Sequence, residues 1–143
     1  MTNMPRSLES GLSIQDERSI AAVLVAYATS IDCRDWTLFR SCFLSDCQAD
    51  FGDFGSWTNA ADLTAYMRDT HASLGPTLHR ITNSRLTAAQ GGANSICYVD
   101  ALLCQANGKG PVHRGVGSYE DFLVRTGDGW KIARRTFKAM ILE

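Results

Sequence analysis

Apolar residues recur with a helical period in the first half of the chain and with a strand period in the second, and the change falls near Thr77. Ile20, Val23, Leu24, Tyr27 and Ile31 are spaced i, i+3, i+4, i+7. At about 100° per residue they form one stripe on a helix that runs to about Cys33. Asp16 and Glu17, just after Ser13, fall in its first turn, where the helix dipole favours acids. Asp35 caps a second short helix, WTLFRSCF, with Trp36, Phe39 and Phe43 as an aromatic seam. A short strand is expected around Cys47 to Phe54. Asn59 caps a third helix through about Ser73, with Leu63, Tyr66 and Met67 apolar, and Gly75-Pro76 stops it.

From Thr77 onward, four long strands are separated by the turn sequences AQGGAN at 89–94, NGKGP at 107–111 and TGDG at 126–129. Three helices followed by an antiparallel meander is an α+β pattern, in which a curved sheet wraps the helices and encloses a pocket on its concave side. Residues 1–13 are polar and aperiodic and read as a loose arm that packs on a neighbour, leaving 14–143 as one domain. A length of 143 residues fits a single core.

Composition removes several classes of function. The formal charge of −1 argues against a polyanion-binding surface, so nucleic acid is not an expected partner. No window approaches eighteen consecutive apolar residues, and MTNMPRSLESG lacks the apolar core of a secretory signal, so a soluble, cytoplasmic protein is expected. The five cysteines are an odd count without CxxC spacing. They are expected to be reduced and mostly buried, with no disulfide framework and no zinc site.

Within this frame one acid stands out. Asp32, in the stretch YATSIDCRDW, lies beside Ala28 and Ala21 on the shoulder of the apolar stripe, near a helix C-terminus where the dipole disfavours it. Pairing with Arg34 or Arg18 is the plain alternative to a functional role. His79 lies in TLHRITNSRL, in phase with Ile81 and Asn83. Asp100, in SICYVDALLC, is in phase with Tyr98 and Leu102, and an acid in so apolar a strand needs a partner or a solvated cavity. A hairpin joins these two strands, which makes His79 and Asp100 candidate neighbours, unless the Asp100 strand takes the other register and turns the acid outward.

A carboxylate at the edge of an apolar pocket is expected to have raised proton affinity, and beside an imidazole it fixes the tautomer. Such a pair can take a proton from a carbon next to a carbonyl and hand one to a departing hydroxyl. Tyr27 can donate to the oxygen that gathers negative charge, although a core tyrosine would look the same. No metal or organic cofactor is required. His113, after a Gly-Pro turn, is expected at a rim. His71, ending a helix, is expected to face solvent. Arg134 and Arg135 read as surface or salt-bridge residues toward Asp121 or Glu120, and GSYEDFLVRTGDGWKI reads as a structural hairpin.

The order of elements, the closing hairpin GSYEDFLVRTGDGWKI and the segment Asp32-Cys33-Arg34-Asp35-Trp36 together resemble the SnoaL-like branch of the nuclear-transport-factor-two-like superfamily over about residues 14–141. That resemblance implies a cone-shaped, barrel-like α+β fold, with three N-terminal helices packed in a strongly curved, mostly antiparallel sheet. The Asp32 segment and Thr77-Leu78-His79 resemble the catalytic segments of the scytalone dehydratases. The Tyr27 to Asp32 spacing, His79 and Asp100 resemble the catalytic set of the bile-acid 7α-dehydratases. Two departures from the former are Phe51, where they carry a substrate-side tyrosine, and Asp100, near which their second histidine would fall; the latter's C-terminal arginine has no clear match, since Lys138 and Arg135 both qualify under small gaps. The resemblance implies a cofactor-independent lyase, a dehydratase, or an isomerase, acting on a hydrophobic cyclic, polyketide- or steroid-like molecule, with Asp32, His79, Tyr27 and Asp100 as site residues. It also implies a homo-oligomer, dimer or trimer. The competing expectation is a non-catalytic ligand-binding or assembly module like the small subunit of aromatic-ring dioxygenases, since this fold hosts both.

Overall fold

The computed structural model describes residues 8–143 and has three helices followed by a meander, as the periodicity predicts. Helix α1 spans Ile14–Cys33, α2 Trp36–Ser41 and α3 Ala60–His71; the strands are β1 Phe43–Asp50, β2 Ser56–Trp57, β3 Leu74–Ala89, β4 Gly92–Gln105, β5 His113–Thr126 and β6 Gly129–Leu142. Each helix starts on a side-chain cap: Ser13 accepts from the Asp16 amide, Asp35 from Leu38 and Asn59 from Asp62, which satisfies amides that the first turn leaves open. Gly75 and Pro76 follow the third helix as expected, but they lie inside β3 rather than in a loop.

The six strands form one mixed, unclosed sheet in the order β2-β1-β6-β5-β4-β3. All pairs are antiparallel except β1 with β6, which run parallel. Register shifts interrupt β3–β4, β5–β6 and β1–β6. Each such irregularity bends and twists its strand, and together they curl the sheet around the helices. The buried stripe of α1 (Ile20, Leu24, Tyr27 and Ile31) packs with Phe39, Phe43, Cys97, Leu123 and Ile132 in one core. Burying an aliphatic side chain of this kind contributes about 1.5–3 kcal/mol.

Strand β3 is an open edge, and two of its backbone amides are met from the N-terminal side of the chain. The Ser10 carbonyl accepts from the Ala88 amide at 2.7 Å, and a side chain of α1 takes the amide of His79. Of the arm expected over residues 1–13, residues 1–7 lie outside the described part. No described helix is long and apolar enough to cross a membrane. The five cysteines are free. Cys42, Cys47 and Cys97 are buried, and burial pushes their thiols up to about 11, whereas Cys33 is exposed.

Candidate functional site

Helix α1 ends on Arg34, which adopts the left-handed conformation (φ 59°). A non-glycine residue pays about 1–2 kcal/mol for this backbone, and its side chain shows what offsets it. Arg34 donates from Nη1 to the Ile31 carbonyl at 2.8 Å and to Thr77 Oγ1 at 2.9 Å, and from Nη2 to the Gly75 carbonyl at 2.8 Å. The guanidinium therefore caps the helix and ties it to the start of β3. Gly75 is required there: a Cβ would stand 2.4 Å from the Gln105 carbonyl oxygen.

This splice brings Asp32 against β3. Asp32 Oδ1 accepts from His79 Nδ1 at 2.7 Å and from Thr77 Oγ1 at 2.8 Å, while Oδ2 accepts from the His79 backbone amide at 2.8 Å. The chain of donors thus runs from Arg34 through Thr77 to Asp32 and His79. Arg34, proposed by sequence as a direct partner of Asp32, acts instead through Thr77. Three donors compensate the unfavourable helix-terminal position of the acid.

The electrostatics reverse one expectation. Burial pushes the Asp32 carboxyl up, but the side-chain and backbone hydrogen bonds from His79, with that of the Thr77 hydroxyl, outweigh burial and hold the acid below its ordinary value. Asp32 is therefore an ionised acceptor, and it fixes His79 with the proton on Nδ1. Nε2 is the nitrogen left available.

His79 lines a cavity of about 560 Å³ on the concave side of the sheet, well within the range of small-molecule sites. Its wall is mostly apolar and includes Phe51, Tyr66, Met67, Val99 and Phe137. Asp32 lies behind His79 and is not part of that wall. Tyr27 does line the cavity and is fully buried. Its hydroxyl lies 3.4 Å from that of Tyr119, a second cavity tyrosine that sequence reasoning placed in a structural hairpin. Burial raises the pKa of both phenols, so both keep their protons.

Asp100 is not brought to this site. In the β3–β4 register His79 pairs with Ala101, and Arg80 with Asp100. Directly paired residues share a face, so Asp100 sits with Arg80 on the outer side. There it accepts from Arg80 at 3.0 Å and from Arg114 at 3.2 Å, and the Arg114 hydrogen bond heads the causes that lower its pKa. Tyr98, in phase with it, is half exposed.

Two further expectations are corrected. His71 does not face solvent: it is buried, lies tilted against the rings of Trp36 and His79, and lines the cavity. Arg135 pairs with Asp121 as anticipated, but in the interior rather than at the surface. Its Nε and Nη2 each donate to an Asp121 oxygen at 2.8 Å, and its guanidinium carbon lies 4.2 and 4.0 Å from the ring centres of Tyr27 and Tyr119. Neither Arg135 nor Lys138 lines the cavity; Lys138 reaches Glu120 at 3.1 Å on the exposed side. His113 is at the cavity rim, as expected, with Nδ1 at 3.2 Å from the Glu143 carbonyl. Among the described residues, no three His, Cys, Asp or Glu side chains gather to hold a metal ion.

This architecture is shared with solved structures of low sequence identity. A candidate scytalone dehydratase from Novosphingobium aromaticivorans superposes with a TM-score of 0.83 at 18% identity, over 91% of this chain and 87% of its own. A candidate aromatic ring hydroxylase from the same organism gives 0.83 at 25%, over 92% and 94%. A hexachlorocyclohexane dehydrochlorinase gives 0.78 at 18%, over 91% and 88%. A comparison with curated protein sequences gives no match. The SnoaL-like domain family matches residues 13–136, nearly the whole α+β unit that holds the Asp32–His79 pair, and the chain belongs to that family.

Proposed function

We propose that the protein is a cofactor-independent lyase, a dehydratase, or an isomerase, acting on a hydrophobic cyclic molecule of polyketide- or steroid-like character. The observation that carries this reading is the grip of Asp32 on His79 Nδ1 at 2.7 Å, with the same imidazole lining an apolar cavity. The held tautomer leaves the lone pair of Nε2 for a substrate proton.

In the dehydratase form, His79 Nε2 removes a proton from the carbon next to a carbonyl, and the C–H electrons pass into an enolate. The enolate re-forms its carbonyl as a C=C bond develops and the β-C–O bond breaks. The departing hydroxyl takes the proton held on Nε2 and leaves as water, which returns His79 to its starting state. Asp32 does not move a proton in this scheme. It stabilises the imidazolium formed between the two steps, as a paired carboxylate of low proton affinity can. In the isomerase form the same proton returns to a different carbon. Tyr27 and Tyr119, both protonated cavity phenols, are the candidates to hydrogen-bond the enolate oxygen.

The test is turnover of a panel of cyclic β-hydroxy ketones, followed by the absorbance of the conjugated enone, in the wild type and in Asp32→Asn. A positioned base contributes on the order of 10²–10⁴ in rate, and the variant, which no longer holds His79 in its basic tautomer or stabilises its imidazolium, should lose about that much while keeping its fold. Equal turnover in the two proteins would end the proposal. Tight binding with no turnover across the panel would favour the non-catalytic binding module instead.

A further inference from the structure

One cavity residue has an unmet valence that the dyad does not use. His71 closes α3 in line with Leu63 and Met67, on the face that turns inward. It is 7% exposed. Its Nδ1 stands 2.8 Å from the Met67 carbonyl oxygen and 3.2 Å from Thr70 Oγ1, whose own proton is directed to the Tyr66 and Met67 carbonyls. A carbonyl can only accept, so Nδ1 carries the proton and Nε2 presents a bare lone pair. That Nε2 is buried and has no hydrogen-bond partner. An orphaned buried acceptor bears the full cost of its desolvation, and buried polar groups are ordinarily satisfied. Burial also disfavours the charged form, ahead of the opposing Met67 hydrogen bond, so the ring is held neutral and accepting.

His71 lines the same cavity as His79, with the two ring centres 6.2 Å apart. We infer that His71 Nε2 is the binding point for a hydroxyl group of the substrate, at a position neighbouring the carbon presented to His79. The substrate class narrows accordingly, from hydrophobic cyclic molecules to those bearing a phenolic or alicyclic hydroxyl besides any group that departs. An ether, halide or bare carbon at that position leaves Nε2 unpaired, and sites built for a hydroxyl discriminate against such analogues. The inference rests on the cavity being the substrate site, as proposed above. His71 contacts substrate in this scheme without moving a proton.

The test uses 2-naphthol and 2-fluoronaphthalene, which share a ring system and differ in one donor. Dissociation constants from equilibrium dialysis give a selectivity ratio for each protein, and comparing ratios cancels the difference in hydrophobicity. Replacing His71→Leu should shift the ratio by about tenfold against 2-naphthol, the equivalent of about 1.4 kcal/mol. An unchanged ratio overturns the inference. Imidazole ¹⁵N spectra of the wild type supply a readout that needs no variant to fold. His71 should show a protonated Nδ1 and a bare Nε2, and Nε2 should shift with 2-naphthol and stay still with 2-fluoronaphthalene. A protonated Nε2 in the free protein, or one indifferent to 2-naphthol, also overturns it. Asp32→Asn should keep the selectivity ratio, so failure of the dyad is read in turnover and failure of the hydroxyl contact in the ratio.

Discussion

The molecule holds two acid–base pairs beside the same tyrosine-lined core, and they differ in what each leaves over. Arg135 and Asp121 have side chains that are 0% exposed, bonded through two parallel hydrogen bonds with aromatic rings against the cation. Burial alone lowers the guanidinium pKa, but the Asp121 charge and hydrogen bonds raise it past its ordinary value. Nothing in that pair faces the cavity. Asp32 and His79 are less deeply buried, at 18% and 8% side-chain exposure, and one imidazole nitrogen remains available on a cavity wall. Depth of burial thus marks the structural pair, and an unspent valence on an accessible wall marks the candidate catalytic one.

Stability measurements can break this contrast. The largest effect is expected for Asp121→Asn, which strands a buried guanidinium. Breaking one partner of a buried pair costs about 3–5 kcal/mol, to be read as a lower urea midpoint. Replacing both partners, with Arg135→Met and Asp121→Leu, should recover much of that loss. Gly75→Ala comes next. It pushes a Cβ into the Gln105 carbonyl oxygen and loosens the strand that Arg34 grips, and overpacking of this kind costs about 1–3 kcal/mol. Asp32→Asn should cost about 1–2 kcal/mol, because the amide retains one acceptor oxygen for three donors.

The pH dependence sharpens the same comparison at smaller scale. The folded-state pKa of Asp32 lies below its ordinary value of 3.8. Its contribution is therefore fully present above about that pH and is lost as pH falls through the folded value. The stability gap between wild type and Asp32→Asn should close at the acid end of a urea-midpoint titration; a gap that widens there would show the carboxyl is not held ionised. The smallest effect is expected for Asp100→Asn on the outer face. Exposed ion pairs add little to stability because solvent screens them, and turnover should be unaffected.

Much of this was legible in the chain, and the exceptions have specific causes. The helical stripe and the strand alternation placed Asp32 and His79, since each sits at a phase where composition gives a polar residue no structural reason. Asp100 was misplaced because β4 is apolar on both faces: Cys97, Val99 and Ala101 point in while Tyr98 and Leu102 share the face of the acid. Composition could not choose between those registers. Arg135 was read, together with Arg134, as a surface or salt-bridge residue, and simple alternation from Ile132 would also turn it outward. The register shift between Phe122 and Leu123 pairs Leu123 with Ile132 but Phe122 with Arg134. That extra residue inverts the phase, leaving Arg134 over the Phe122 ring and Arg135 in the core. The parallel pairing of β1 with β6 left no local signal. For His71 a signal existed, in the i, i+4, i+8 line of Leu63, Met67 and His71, and its helix-terminal position masked it.

The most direct measurement is the Asp32→Asn variant assayed for folding and turnover on the same preparation. A urea midpoint within about 1–2 kcal/mol of wild type, with turnover of a cyclic β-hydroxy ketone down by about 10²–10⁴, is the expected result. A folded variant that turns over the same substrate at the wild-type rate would contradict the assignment of His79 as a base held by Asp32.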